Sequence, residues 1–166
     1  ENYKLPVSHR LGQEGEGFKI AMSILDAGRI GIAAQALGIA EAAYEASVAY
    51  AKEREAFGQK IAEFQAIQWM LADTLAQIHS ARLLTYHAAY LRDQQKDFVK
   101  EASMAKVFAS EVAVEATRRA IQTRGGDGPT KDHPLQRYDR DAKVLEIVEG
   151  TSEIQRLILA REILQL

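Results

Sequence analysis

Apolar and small residues return at a spacing near 3.6 along most of this chain, which is the signature of helices that bury one side. From Gly17 to Arg54 the series Ile20, Ile24, Ala27, Gly31, Ala34 and Gly38 marks one face. From about Phe64 to Arg92 the line is Phe64, Ile67, Leu71, Leu75 and Ile78. From Val99 to Thr123 it is Ala105, Phe108, Val112, Ala116 and Ala120. The three prolines, Pro6, Pro129 and Pro134, all lie outside these stretches, so no ring interrupts a long helix. Gly125-Gly126 supplies an end for the third helix. A short helix from Pro134 to about Lys143 and a last helix from Thr151 complete the set. The pattern predicts an all-α antiparallel bundle of three long helices with a short helix and a C-terminal helix. A strand-like stretch occurs only at Tyr3 to Val7, with no partner strand to pair with. Residues 1–14 are therefore expected to be the tail of a preceding β-domain, and 15–166 the helical bundle domain.

Composition narrows the function. The 166 residues suffice for one domain with a real core. Its 21 basic and 23 acidic side chains nearly cancel, which gives no phosphate-tracking surface and argues against nucleic acid. No apolar run approaches membrane-spanning length on this reading, and the start lacks a basic-then-apolar leader, so no membrane association is expected. Cysteine is absent, and the four histidines show no metal spacing. No Glu-x-x-His, G-x-S-x-G or Walker A pattern occurs.

Candidate chemistry concentrates in four places. Glu149 sits on a glycine-containing connection just before the last helix, where Thr151 or Ser152 can cap, and Ser152-x-x-Gln155 has the spacing of a capping box. A carboxylate there is directed and flanked by unpaired N–H groups, which suits a base beside a polarised carbonyl, or simply a helix start. Asp26 and Arg29 share a face of the first helix within an apolar, glycine-rich stretch. Its interior glycines, Gly28, Gly31 and Gly38, each cost about 1 kcal/mol against alanine, which close approach of a backbone or ligand would offset. Arg54-Glu55-Ala56-Phe57-Gly58 reads either as a helix C-terminal cap or as an anion clamp. Gly125-Gly126-Asp127-Gly128 reads as a turn whose amides could meet a phosphate; no strand precedes it, so it is not a Rossmann fingerprint.

Taken together and in order, these segments resemble the C-terminal helical domain of the acyl-CoA dehydrogenases, most closely the short-chain (butyryl-CoA) branch. The residues that carry the likeness are Leu25 to Ala33, Gln35 to Ala40, Arg54-x-x-Phe57-Gly58, Gln65, Gln122-x-x-Gly125-Gly126, Arg140 to Lys143 and Glu149-Gly150-Thr151-Ser152-Glu153. The resemblance implies an FAD-dependent enzyme of fatty-acid β-oxidation that desaturates an acyl-CoA between Cα and Cβ. It makes Glu149 the base that removes the α-proton, and Asp26, Ala27, Gly28, Arg29 and Gly150 substrate contacts. It makes Arg54, Phe57, Gln65, Gln122, Thr123, Arg124, Gly125, Gly126, Thr151, Ser152 and Glu153 cofactor contacts, many of them across a subunit interface. Some branches carry their base on the first long helix, at the place of Gly28, which cannot serve. The resemblance further implies a homotetramer built as a dimer of dimers, electron-transfer flavoprotein as electron acceptor, and a cytoplasmic or mitochondrial-matrix location. A helical oligomerisation module without activity of its own, and an acyl-CoA oxidase-like relative, are the alternatives. Departures from the family pattern stand at Val148 and Pro129, where aromatics are usual, and at Thr123-Arg124, where an apolar pair is usual.

Overall fold

The structure, a computed structural model, describes residues 2–165; Glu1 and Leu166, the outer ends of the two expected segments, lie outside them. Helix α1 spans Gly17–Glu53, α2 Gln65–Asp93, α3 Val99–Arg124, α4 Leu135–Leu145 and α5 Ser152–Leu164. Short connections make consecutive long helices antiparallel. Arg82 of α2 pairs with Glu41 of α1, and Arg119 of α3 donates to Thr74 of α2 at 3.1 Å. Helices α1 and α3 therefore run in the same direction, and the all-α bundle is as the periodicity indicates.

Helix α3 is the centre of the bundle. Ala102, Ala105, Ala109, Val112, Ala113 and Ala116 are buried against Ile30, Ala33, Ala36, Leu37 and Ala40 of α1 and Ile78, Ala81 and Ala88 of α2. Alanine at so many contact positions lets the helix axes approach closely, and it makes the core one of backbone proximity more than of large side chains.

Four expectations need correcting. The face read for α1 is not the buried one: Gly31, Ala34 and Gly38 are exposed, and Ile24 is 63% exposed, whereas Ile30, Ala33, Leu37, Ala40, Ala43, Ser47 and Ala51 face inward. The helix is apolar on both sides, so period alone could not choose between them. Within α1 an 18-residue window has mean hydropathy 1.3, long and apolar enough by composition to cross a membrane, contrary to the sequence reading; 28% of it is buried here. Tyr3 to Val7 forms no strand; the segment is irregular and leads into a single 3-10 turn at Val7–His9. The strands among the described residues are two short ones, Glu55–Ala56 (β1) and Gln59–Lys60 (β2), forming a hairpin the periodicity did not show.

Candidate functional site

The chain from α4 to α5 is a tight loop, Glu146 to Thr151, folded over the side of α3. Its key residue, Glu149, has φ +56, the left-handed region that a non-glycine residue enters only when its surroundings hold it there, at a cost of about 1–3 kcal/mol. Gly150 follows with φ +93, and a Cβ on it would lie 2.6 Å from the Gln155 side-chain nitrogen. Glycine is thus demanded twice at that position, by its backbone angle and by its neighbour.

The loop directs the Glu149 carboxylate against α1 at Gly28. A Cβ built on Gly28 would stand 2.6 Å from Oε2 and 3.0 Å from Cδ of Glu149. Gly28 is therefore the space the carboxylate occupies. Oε2 is buried and has no hydrogen-bond partner among the described residues. A buried carboxylate oxygen without a donor is costly, and such an oxygen is usually explained by a ligand or a reaction. The next residue, Arg29, is buried and bound to Asp26 at 2.5 Å, while its Nε is likewise buried without a partner among the described residues. Asp26, Ala27, Gly28, Arg29, Glu149 and Gly150 thus come together at one place.

Two buried polar side chains support the loop: Lys106, which the sequence reading did not single out, and Gln155, which it read as half of a capping box. Lys106 of α3 is fully buried, and its Nζ donates to the carbonyls of Glu146 at 3.2 Å and Gly150 at 2.8 Å. Burial pushes its ammonium below the usual lysine range, the Glu146 carboxylate draws it back up, and the Arg29 guanidinium pushes it down again. The available signal was a lone cation in the run Ala102 to Ser110. Gln155, also fully buried, donates to the carbonyls of Glu149 at 3.1 Å and Gly150 at 3.0 Å. It reaches back to carbonyls rather than to the helix's first N–H, so the capping box expected at Ser152 does not form. Thr151 is the N-cap, accepting from the Ile154 amide at 3.4 Å, and Ser152 is buried. Glu153 is exposed, and its hydrogen bond with Thr151 holds its carboxyl below the usual range. A cleft of about 400 Å³ beside the loop is lined by Glu111, Glu146 and Glu153 with Lys143 and Arg156, and Glu149 is not part of its lining.

The other sequence candidates lie elsewhere. Arg54 is the C-cap of α1 and exposed, and Phe57 and Gly58 form the turn of the β1–β2 hairpin with φ +54 and +81. Positive φ at both turn positions is the type I′ geometry. For a bulky residue this is an outlier, and it leaves the Phe57 ring 97% exposed, edge-on to Phe64. Gln65 begins α2, whose N-cap Phe64 offers no side-chain cap, so the first amides of that helix stay available to an anion. Gly125 ends α3 with φ +71, and Gly126 follows; nothing stands within 4 Å of a Cβ built on either. Arg124 lies over the Tyr50 ring at 4.6 Å and donates to His133 at 2.6 Å, which ties the Gln122 to Gly126 turn to the C-terminal end of α1. Thr123 is buried, its hydroxyl donating to the Arg119 carbonyl at 2.8 Å. Thr123 is thus satisfied locally, whereas Arg124 is engaged through its terminal nitrogen and the Tyr50 ring but keeps a buried Nε without a partner among the described residues. Val148 is 37% exposed and Pro129 is exposed, so neither fills an internal gap.

The candidates therefore fall into two groups. Gly28 and Arg54 are separated by twenty-six positions of one continuous helix, about 39 Å at 1.5 Å rise per residue. No single small ligand lying along one copy of this chain touches both Glu149 and the Arg54 end.

Residues 15–164 match the family model described as "Acyl-CoA dehydrogenase, C-terminal domain". The bovine mitochondrial short-chain specific acyl-CoA dehydrogenase is 53% identical over 99% of this chain and 40% of its own length. A butyryl-CoA dehydrogenase structure from Megasphaera elsdenii superposes with TM-score 0.95 at 48% identity, covering 96% of this chain and 42% of that one. A structure described as an electron transferring flavoprotein of Acidaminococcus fermentans, concerned with electron bifurcation, superposes with TM-score 0.98 at 52% identity, covering 100% of this chain and 44% of that one. The chain spans about two fifths of the length of the curated relatives it matches.

Proposed function

The chain belongs to the acyl-CoA dehydrogenase family as its C-terminal helical domain, and from that premise we propose that it carries the proton-abstracting half of an FAD-dependent short-chain acyl-CoA dehydrogenase. The observation that carries this reading is the buried, partnerless Oε2 of Glu149, held by a left-handed backbone against the vacant side of Gly28. In this role Glu149 accepts the α-proton of the thioester at that oxygen. A carboxylate is a weak base toward a carbon acid. It needs water kept away and the thioester oxygen polarised by donors, conditions that substrate and neighbouring domains complete. Glutamate has the length to reach from this loop to α1; aspartate would stop about one methylene short.

FAD, when bound, supplies the acceptor for the β-hydride. The second group of residues fits its adenosine and pyrophosphate end. Arg54 is exposed, the first amides of α2 are uncapped, the backbone at Gly125 and Gly126 is open, and Phe57 offers an exposed ring. With about 39 Å of helix between the groups, the Arg54 end would hold the flavin of a site that another copy's Glu149 completes. Assembly is then part of the active site. The apolar outer side of α1 and the exposed Trp69, Leu83, Tyr86 and Tyr90 of α2 are surfaces such an assembly would cover, in a homotetramer made as a dimer of dimers. Electron-transfer flavoprotein is the proposed electron acceptor, and the segment 1–14 the proposed link to a preceding β-domain.

The test is Glu149→Gln in the full-length flavoprotein. FAD and butyryl-CoA binding are expected to persist while flavin reduction slows at or beyond the upper end of the 10²–10⁴-fold usual for a general base. Slowing of less than tenfold would remove Glu149 from that role.

A further inference from the structure

We infer that Lys106 and Gln155 are positioning residues that together hold Glu149 in its left-handed conformation and so aim its carboxylate. This rests on the reading of Glu149 as the base, but its structural half can be tested apart from it. Lys106 belongs to α3 and Gln155 to α5, and both are fully buried. Between them they donate to the carbonyls of Glu146, Glu149 and Gly150, each within 3.2 Å. The Gly150 carbonyl receives both donors. The Glu146 carbonyl also accepts the Ser152 amide at 3.0 Å, which closes the loop across its base.

The geometry says why two such donors are needed. The peptide carbonyls on either side of Gly150 are those a residue with positive φ turns away from ordinary helix partners. Once Glu149 enters the left-handed region, its own carbonyl and the next must find donors or remain buried and unpaired. Lys106 approaches from beneath and Gln155 from the following helix. A relaxation of Glu149 to an ordinary φ would swing these carbonyls off both donors at once. The same relaxation would withdraw the carboxylate from the space at Gly28, 2.6 Å from where a Cβ would stand. Neither side chain reaches the reacting atoms, so their effect on chemistry passes entirely through Glu149.

The experiment uses the full-length flavoprotein with Lys106→Met, Lys106→Gln and Gln155→Met, beside Glu149→Gln. Methionine keeps the volume and removes the donor; glutamine at 106 keeps one donor. Misplacement of a reacting group by about 1 Å costs on the order of 10²-fold. We expect Lys106→Met and Gln155→Met to reduce their flavin about 10²-fold more slowly at saturating butyryl-CoA, with the dissociation constant of butyryl-CoA changed by less than about threefold. Lys106→Gln should recover part of the loss. Amide exchange in residues 146–151 should quicken at least tenfold in the methionine variants, with the middle of α3 unchanged. A merely structural role would instead loosen α3 and affect binding and reduction together. Unchanged exchange in the loop would overturn the positioning role whatever Glu149 does, and so, where Glu149→Gln itself slows reduction, would reduction within threefold of the parent in the methionine variants. Should Lys106→Met fail to fold, Lys106→Gln and Gln155→Met decide by the same criteria. If Glu149→Gln reduces normally while loop exchange responds as expected, the base assignment fails and the clamp on the loop stands.

Discussion

Replacing Gly28 by alanine should separate stability from catalysis. In the middle of a helix the exchange of glycine for alanine stabilises by about 1 kcal/mol. The added methyl, however, would stand 2.6 Å from Oε2, 3.0 Å from Cδ and 3.3 Å from Oε1 of Glu149. Unstrained carbon–oxygen contacts begin near about 3.3 Å, so the carboxylate must retreat by about 0.7 Å. A side-chain end can make that move without disturbing the backbone, and the helix therefore keeps its gain. A base displaced by that much should act about ten- to a hundredfold more slowly. The assay is stopped-flow flavin reduction by butyryl-CoA in the full-length protein, together with thermal unfolding. Glu149→Asp provides the internal check, because a carboxylate one methylene shorter no longer reaches the added methyl. In that background Gly28→Ala should cost almost nothing further, a coupling that a double-mutant cycle measures. Equal losses in both backgrounds would refute the argument, since the effect would then not run through the carboxylate. So would a Gly28→Ala protein that keeps its rate.

Two further outcomes follow from the division of the candidate residues. The isolated 166-residue chain should purify colourless and bind FAD weakly, because it offers chiefly exposed contacts for the adenosine and pyrophosphate end, which salt screens; stoichiometric flavin surviving gel filtration in high salt would contradict this. The same chain should self-associate through the apolar outer sides of α1 and α2, and sedimentation equilibrium showing only monomer at micromolar concentration would count against it.

The helices were legible because punctuation and period agreed. Proline outside the long stretches let them run unbroken, the period placed the ends of α1 and α2, and Gly125 marked that of α3, each within a residue or two. The buried face of α1 was not legible. Ile24, Gly31 and Ala34 on one side look no different, as residues, from Ile30, Ala33 and Leu37 on the other, and only the position of α3 distinguishes them. The hairpin at Glu55–Lys60 escaped because its two-residue strands are too short to show alternation, and Phe57 is an unusual residue for a left-handed turn position. At the site, Glu149, Asp26, Arg29 and Gly28 were legible as candidates. That Gly28 makes room for Glu149 was not, since it depends on two segments over a hundred residues apart. Gln155 was misread for a related reason: spacing fits a capping box, but a fully buried amide goes where unpaired carbonyls are.

Filling the space beneath the Glu149 loop with a lysine and a glutamine is a poor choice if stability alone is the measure. A fully buried cation loses its hydration, and well-packed apolar side chains of similar volume are often as stabilising or more so. What apolar groups cannot do is bind particular carbonyls. The loop presents three, from Glu146, Glu149 and Gly150, and the last two are turned inward because Glu149 is left-handed. A greasy plug would leave them unpaired and favour any conformation that returned them to water, including those in which the carboxylate swings away from α1. The polar pair makes the strained conformation the one with every inward carbonyl satisfied. The cost of burying Lys106 and the cost of the positive φ at Glu149 are thus coupled. Each is tolerated because the other is present, and the product is a carboxylate with one direction rather than several.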